Sequence, residues 1–236
     1  MTNKNIKQFL HDRSSGASSL VNQELKIIKQ LLQNESSEKD IKKFIQKASN
    51  KFPEMAPIKK IEFFFSNNKI NVKNLEELSR EFSDNEFINL SKFLFSNNKS
   101  ILTFSNSSSV RKVLINFSDK LKKVYCCRSL PLAEGKVFYR KLKKKKINAE
   151  LIEDMEITKY DKKIDIILIG ADAIGEKYFI NKVGTKILAL FAKDFEIPIY
   201  VVSSRQKLFS GSEFKKLKIG KYFEKVEKKH ITKFIF

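Results

Sequence analysis

The stretch Ile164-Asp165-Ile166-Ile167-Leu168-Ile169-Gly170-Ala171-Asp172 decides the fold. Its apolar part is too short for an ordinary helix and reads as a strand buried on both faces. Similar short apolar runs occur at 101–104, 124–127, 149–152 and 197–202. They alternate with amphipathic segments at 110–121, 134–145 and 182–195. In the last of these, Val183, Ile187, Leu190 and Phe191 share one helical face, with Lys182, Lys186 and Lys193 elsewhere. Buried strands alternating with helices imply right-handed crossovers and a mostly parallel sheet. Residues 99–236 are therefore expected to form a doubly wound, Rossmann-like α/β domain.

Upstream of Lys99 the periodicity is helical. Ile27, Ile28, Leu31 and Leu32 follow a 3.6-residue period, as do Ile41, Phe44 and Ile45 behind a cap at Ser37. Asn34, Pro53, Pro57, Asn67 and Asn68 punctuate four or more short helices, so residues 1–98 are expected to form a helical domain. Phe-Ser-Asn-Asn closes both 63–68 and 93–98, but two copies are too few for a repeat architecture.

The chain has 236 residues, of which 42% are hydrophobic and 31% charged, enough apolar content for a real core and too much for wholesale disorder. No apolar run approaches a membrane span, and Lys4 and Lys7 have no apolar stretch behind them, so neither a membrane anchor nor a signal peptide is expected. The expected compartment is the cytoplasm. Cys126 and Cys127 are adjacent, which on a strand points them to opposite faces and excludes a disulfide framework. His11 and His230 lie at opposite ends of the chain without partners at metal-ligand spacing, so no metal site and no cofactor is expected.

The net charge of +20 is unevenly spread, +5 over residues 1–100 and +15 over residues 101–236. A basic second half suits phosphorylated ligands or nucleic acid. Joint abundance of Lys, Asn, Ile and Phe also follows from A- and T-rich codons without any partner. The aromatic residues sit inside apolar patterns rather than among the basic runs, so a nucleic-acid role is possible but not favoured.

In a doubly wound sheet the ligand lies beyond the carboxyl ends of the strands. That rule selects Ser105 and Asn106, Arg128 and Ser129, Asp172, and residues 203–207. Asp172 follows a strongly apolar strand, where a carboxylate can be partly desolvated for proton transfer; its alternative role is to cap a helix or turn. Asn181 and Lys182 are read as opening a helix, whose N–H groups and dipole favour an anion. Lys182 could equally be a solvated surface lysine. Lys141 and the lysines at 143–146 read as an exposed, dipole-matched helix end. Neither a G-x-G-x-x-G fingerprint nor a P-loop is present.

These segments together resemble the translation initiation factor 2B alpha/beta/delta family, which also contains methylthioribose-phosphate isomerase and ribose-bisphosphate isomerase. The resemblance rests on Ile101-Leu102-Thr103-Phe104-Ser105, on Val124-Tyr125-Cys126-Cys127-Arg128-Ser129-Leu130-Pro131 with Gly135, on Gly170-Ala171-Asp172 and Ile180-Asn181-Lys182-Val183-Gly184-Thr185, and on Tyr200-Val201-Val202 running to Lys207. A shorter match is Ser15-Gly16-Ala17-Ser18. In the isomerase branch a phosphorylated aldose becomes a ketose, with a cysteine and the aspartate of Gly-Ala-Asp sharing the proton work. The resemblance places those roles at Ser105 and Asp172. It implies phosphate or hydroxyl contacts from Ser15, Gly16, Ala17 and Ser18, from Ser107, Ser108 and Ser109, and from Asn181, Lys182 and Lys207. It also implies a homodimer formed through the α/β domain.

The departures from the family pattern bear on mechanism. Ser105 stands where the cysteine is expected, and an unassisted alcohol is a far poorer base than a thiol of pKa ~8.5. No His, Lys or Glu motif is evident in the sequence beside Ser105. Ser15, Phe52 and Leu130 stand where arginines are expected, although Arg128 lies close to Leu130. Losing guanidinium forks weakens recognition of a doubly phosphorylated sugar. The expectation is a protein that binds a phosphorylated ribose or nucleotide in an interdomain pocket, with isomerase chemistry lost or altered. The alternatives are an active aldose–ketose isomerase using Asp172, and an RNA-binding or translation-associated accessory protein.

Overall fold

The structure, a computed structural model, describes residues 2–12 and 17–236. It comprises two packed units. One is Met1–Asp84 with Arg205–Lys218; the other is Asn85–Ser204 with Ile219–Phe236.

The first unit is helical: α1 (Thr2–His11), α2 (Ala17–Gln33), α3 (Glu38–Lys51), α4 (Ala56–Asn67) and α5 (Val72–Ser83). Local chemistry fixes the helix starts. The Ser37 side chain accepts the Asp40 N–H at 3.2 Å, with Glu38 and Asp40 in the first turn of α3. Asn71 caps α5 in the same way through the Asn74 N–H at 2.8 Å. Pro57 occupies the first turn of α4, where no backbone donor is required. Leu20, Ile28, Ile41, Phe44, Ile58 and Leu78 fill the core, with the Phe9 ring 5.8 Å from Phe44 and 5.3 Å from Phe52. The segment Arg205–Lys218 joins this unit through α4. Lys60 Nζ donates to the Leu208 carbonyl at 3.0 Å, and Phe63 meets Phe209 edge-on at 6.4 Å.

The second unit opens with α6 (Glu86–Leu90) and continues through β1 (Lys99–Thr103), α7 (Ser108–Asn116), β2 (Leu121–Cys127), α8 (Glu134–Lys144), β3 (Ala149–Ile152) and β4 (Ile166–Ile169). Then follow β5 (Ala173–Ile174), β6 (Tyr178–Lys182), α9 (Thr185–Asp194), β7 (Ile199–Val202), β8 (Phe223–Glu227) and β9 (Lys233–Ile235). Six strands form one parallel sheet in the order β3-β2-β1-β4-β7-β9. This is the Rossmann strand order, and its direction reverses between β1 and β4. A separate antiparallel sheet has the order β5-β6-β8. Phe87, Leu94 and Phe95 pack into the core of this unit with Ile101, Val113, Phe138 and Leu168, and Phe95 stacks on Phe117 at 4.6 Å.

Two local expectations are corrected. Asn181 and Lys182 do not open a helix: they end β6, where Lys182 pairs with Phe223 of β8, and the helix begins only at Thr185 behind Gly184. Phe179, Ile180, Asn181 and Lys182 are all buried, so both faces of this strand are covered from Phe179 onward. On α9, Leu188, Ala189, Phe191 and Ala192 face the core, whereas Ile187 and Leu190 are exposed, as is Val183 in the turn before the helix. The helix thus carries two apolar stripes. Among the described residues, no helix is long and apolar enough to cross a membrane.

Candidate functional site

The reversal between β1 and β4 brings the Phe104-Ser105-Asn106 segment and Gly170-Ala171-Asp172 to the carboxyl edge of the sheet, on adjacent strands. Gly170 permits this approach: a Cβ there would collide with the Ser107 hydroxyl. Ser107 caps α7, its Oγ accepting the Val110 N–H at 3.3 Å. Asn106 accepts from Arg111 Nη1 at 3.2 Å. Ser108 and the buried Ser109 form the first turn of α7, where backbone N–H groups converge.

Ser105 has φ of 68°, in the left-handed region that a serine rarely adopts. Its N–H donates to Ser129 Oγ at 2.7 Å, and that hydroxyl donates onward to the Cys127 carbonyl at 3.1 Å. Ser129 is itself left-handed, with φ of 62°. Asp154 holds the loop after β2 in place, accepting the Ser129 N–H at 2.6 Å and the Leu130 N–H at 2.7 Å. This scaffold directs the Ser105 hydroxyl to Glu134 Oε2 at 3.2 Å. The same oxygen lies 3.1 Å from Lys182 Nζ. Lys182 is 1% exposed, while the Glu134 side chain retains 32% exposure. The ammonium is therefore enclosed and the carboxylate is the accessible half of the pair. Tyr222 lies beneath Lys182 Nζ, 5.2 Å from ring centroid to nitrogen.

Sequence reading finds no Lys or Glu beside Ser105; the structure supplies both. Glu134 sits in the first turn of α8, where the helix dipole favours its charge. Gly135 next to it packs directly on the Cys127 carbonyl, with no room for a Cβ, which sets how close α8 begins to the end of β2.

The other expected residues fall as follows. Asp172 is half-buried, and its N–H donates to the Ile180 carbonyl at 2.8 Å, continuing the β5–β6 ladder toward Asn181. Asn181 is buried, and its amide donates to Thr185 Oγ1 at 3.1 Å; that hydroxyl donates to the Lys182 carbonyl at 2.6 Å. Gly184, at φ 101°, makes the turn between them, its N–H donating to Glu224 at 2.8 Å. Arg128 Nη1 pairs with Glu153 at 2.7 Å. Ala17 begins α2 and Lys207 ends a short 3-10 turn, both in the first unit. Ser15, Gly16 and the side chain of Ser18 lie outside the described residues. The thiols of Cys126 and Cys127 are buried; burial pushes Cys126 up to about 12 and Cys127 higher still, helped there by the charge of Asp154, so neither can supply the thiolate that Ser105 lacks. Among the described residues, no three His, Cys, Asp or Glu side chains gather as a metal site would require.

A family model described as the Initiation factor 2 subunit family matches residues 5–233, and the chain belongs to that family. Over 111 residues it is 32% identical to a ribose 1,5-bisphosphate isomerase of Methanocaldococcus jannaschii, a match covering 46% of this chain and 36% of that protein. It is 32% identical over 110 residues to a putative translation initiation factor eIF-2B subunit 2-like protein of Pyrococcus furiosus, covering 45% and 40%. In sequence, then, the chain matches well under half the length of these relatives. The fold is shared throughout: a translation initiation factor eIF-2B of Pyrococcus horikoshii superposes with a TM-score of 0.79 at 23% identity, covering 99% of this chain and 94% of that one. A 5-methylthioribose 1-phosphate isomerase from the same organism gives 0.72 at 17% identity, covering 99% and 82%.

Proposed function

We infer, from membership of that family and from the site at the β1–β4 reversal, that this protein binds a phosphorylated ribose or nucleotide there, with isomerase chemistry lost or altered. The observation that carries the reading is the convergence of Ser105, Glu134, Lys182 and the first turn of α7 at the edge where a doubly wound sheet places its ligand. The amides of Ser108 and Ser109 suit a phosphate, because the Ser107 cap already occupies the Val110 N–H. Asp172 supplies a carboxylate on the neighbouring strand end. Relatives named as isomerases of ribose phosphates favour a sugar phosphate over other anions.

The altered chemistry follows from Ser105. An alcohol in a left-handed turn that donates its proton to a carboxylate already paired with a lysine is a hydrogen-bonding group, not a base. The exposed stripe of Val183, Ile187 and Leu190 on the α/β unit supports pairing of two copies.

A thermal-shift series with ribose phosphates, nucleoside monophosphates and inorganic phosphate tests the binding. A ligand at 100-fold its Kd stabilises by about 2.7 kcal/mol, a rise of a few degrees for a chain of this size. A flat response across the series would contradict the reading.

A further inference from the structure

Glu134 lies 29 residues from Ser105 in the chain and shares no motif with it, yet its carboxylate is where three elements meet. The Ser105 hydroxyl from the end of β1 and the Lys182 ammonium from the end of β6 both approach Oε2, at 3.2 and 3.1 Å. Lys182 Nζ is buried and makes no well-aligned hydrogen bond among the described residues, so the Glu134 charge is what balances it. A carboxylate facing an ammonium at this distance accepts hydrogen bonds and donates none. Both contacts fall on Oε2, and the Glu134 side chain as a whole keeps 32% exposure.

The geometry points to Glu134 as the residue that sets ligand specificity in this site: its carboxylate accepts hydrogen bonds from the hydroxyls of a sugar and excludes phosphate from the Ser105 end, so that the anionic group is directed to the first turn of α7. This rests on the binding reading above and adds to it the orientation of the ligand. The physical reason is charge. A phosphate oxygen next to an ionised carboxylate is repelled, whereas a hydroxyl donates to it in a charge-assisted hydrogen bond. The opposite end is suited to the phosphate, since the amides of Ser108 and Ser109 point out of the helix start. An ammonium attracts phosphate, but the charge of this one is already balanced by the Glu134 carboxylate 3.1 Å away.

The test is equilibrium titration of the intact chain, by calorimetry, with ribose 5-phosphate and with inorganic phosphate. The wild type is expected to bind the sugar phosphate at least tenfold more tightly than phosphate. Glu134→Gln removes the charge and exposes the lysine's, so phosphate affinity is expected to rise and the preference for the sugar to fall by at least tenfold. Phosphate binding by that variant also reports a folded site. Glu134→Asp, which keeps the charge, is expected to keep a preference for the sugar and is the variant to rely on if Glu134→Gln does not fold. Equal affinity of the wild type for both probes, or an unchanged preference in Glu134→Gln, overturns the assignment while leaving anion binding intact. Binding of neither probe by the wild type overturns the functional reading itself, and the assignment with it.

Discussion

Glu24 occupies the core face of α2, between Leu20 and Ile28, and is 0% exposed. Among the described residues, neither of its carboxylate oxygens has a hydrogen-bond partner. It faces, among the described residues, Glu62 of α4, which pairs with Lys59 at 2.9 Å and accepts from Ser49 of α3. Burial first, and then the negative charge of Glu62, hold the Glu24 carboxyl well above the ordinary carboxylate range. A group that binds its proton more tightly folded than unfolded gives its full stabilisation below the unfolded value, near 4.5, and loses it as pH rises toward the folded value. Unfolding free energy is therefore expected to decline above about pH 4.5, and Glu24→Gln to flatten that decline. Urea unfolding of both proteins at a series of pH values between about 5 and 8 checks this, and an identical slope in the two would refute it. Residues of this kind are partly hidden from sequence reading. Glu24 reads as a polar position within an apolar stripe, and Glu134 reads as the start of a helix. In both cases the partner that defines the residue lies on a different element, and only the tertiary fold brings the two together.

At the scale of elements, close packing at the start of α8 sets the geometry of the Ser105 cluster. A methyl at Gly135 would overlap the Cys127 carbonyl, which is backbone and cannot swing aside. Gly135→Ala is expected to destabilise by about 1–3 kcal/mol, the usual cost of overpacking, and to loosen ligand binding together with stability. Chemical denaturation measures the first effect; a variant as stable as the wild type would show that α8 can start further from β2 without penalty. Strands buried on both faces were the most legible elements. Ile166–Ile169 is a continuous apolar run, buried at every position, and is a central strand of the parallel sheet. The antiparallel sheet was not legible. Phe223-Glu224-Lys225-Val226-Glu227 buries only Val226 and carries three charges, so its pattern is that of a loop until β6 is seen beside it. The α9 reading failed for a related reason: two apolar stripes flank one helix, and periodicity alone does not say which one faces the core.

For the whole molecule, the net charge of +20 and the exposed apolar stripe make different predictions about partners. Ile187, 66% exposed, lies at the middle of that stripe with Val183 and Leu190. Light scattering is expected to give twice the 27.5 kDa chain mass for the wild type and the single mass for Ile187→Glu; a monomeric wild type would remove the case for pairing. The basic charge is concentrated at exposed positions such as Lys141, Lys143 and Lys144 in the last turn of α8, the opposite end of that helix from Glu134. A merely electrostatic partner would gather at those lysines, and a specific ligand at the β1–β4 reversal. Amide chemical-shift mapping during titration with ribose 5-phosphate separates the two most directly. The expected result is saturable shifts at Ser105, Ser108, Ser109, Asp172 and Lys182 with the end of α8 unmoved. Shifts confined to the α8 lysines, or none at the strand ends, would contradict the site.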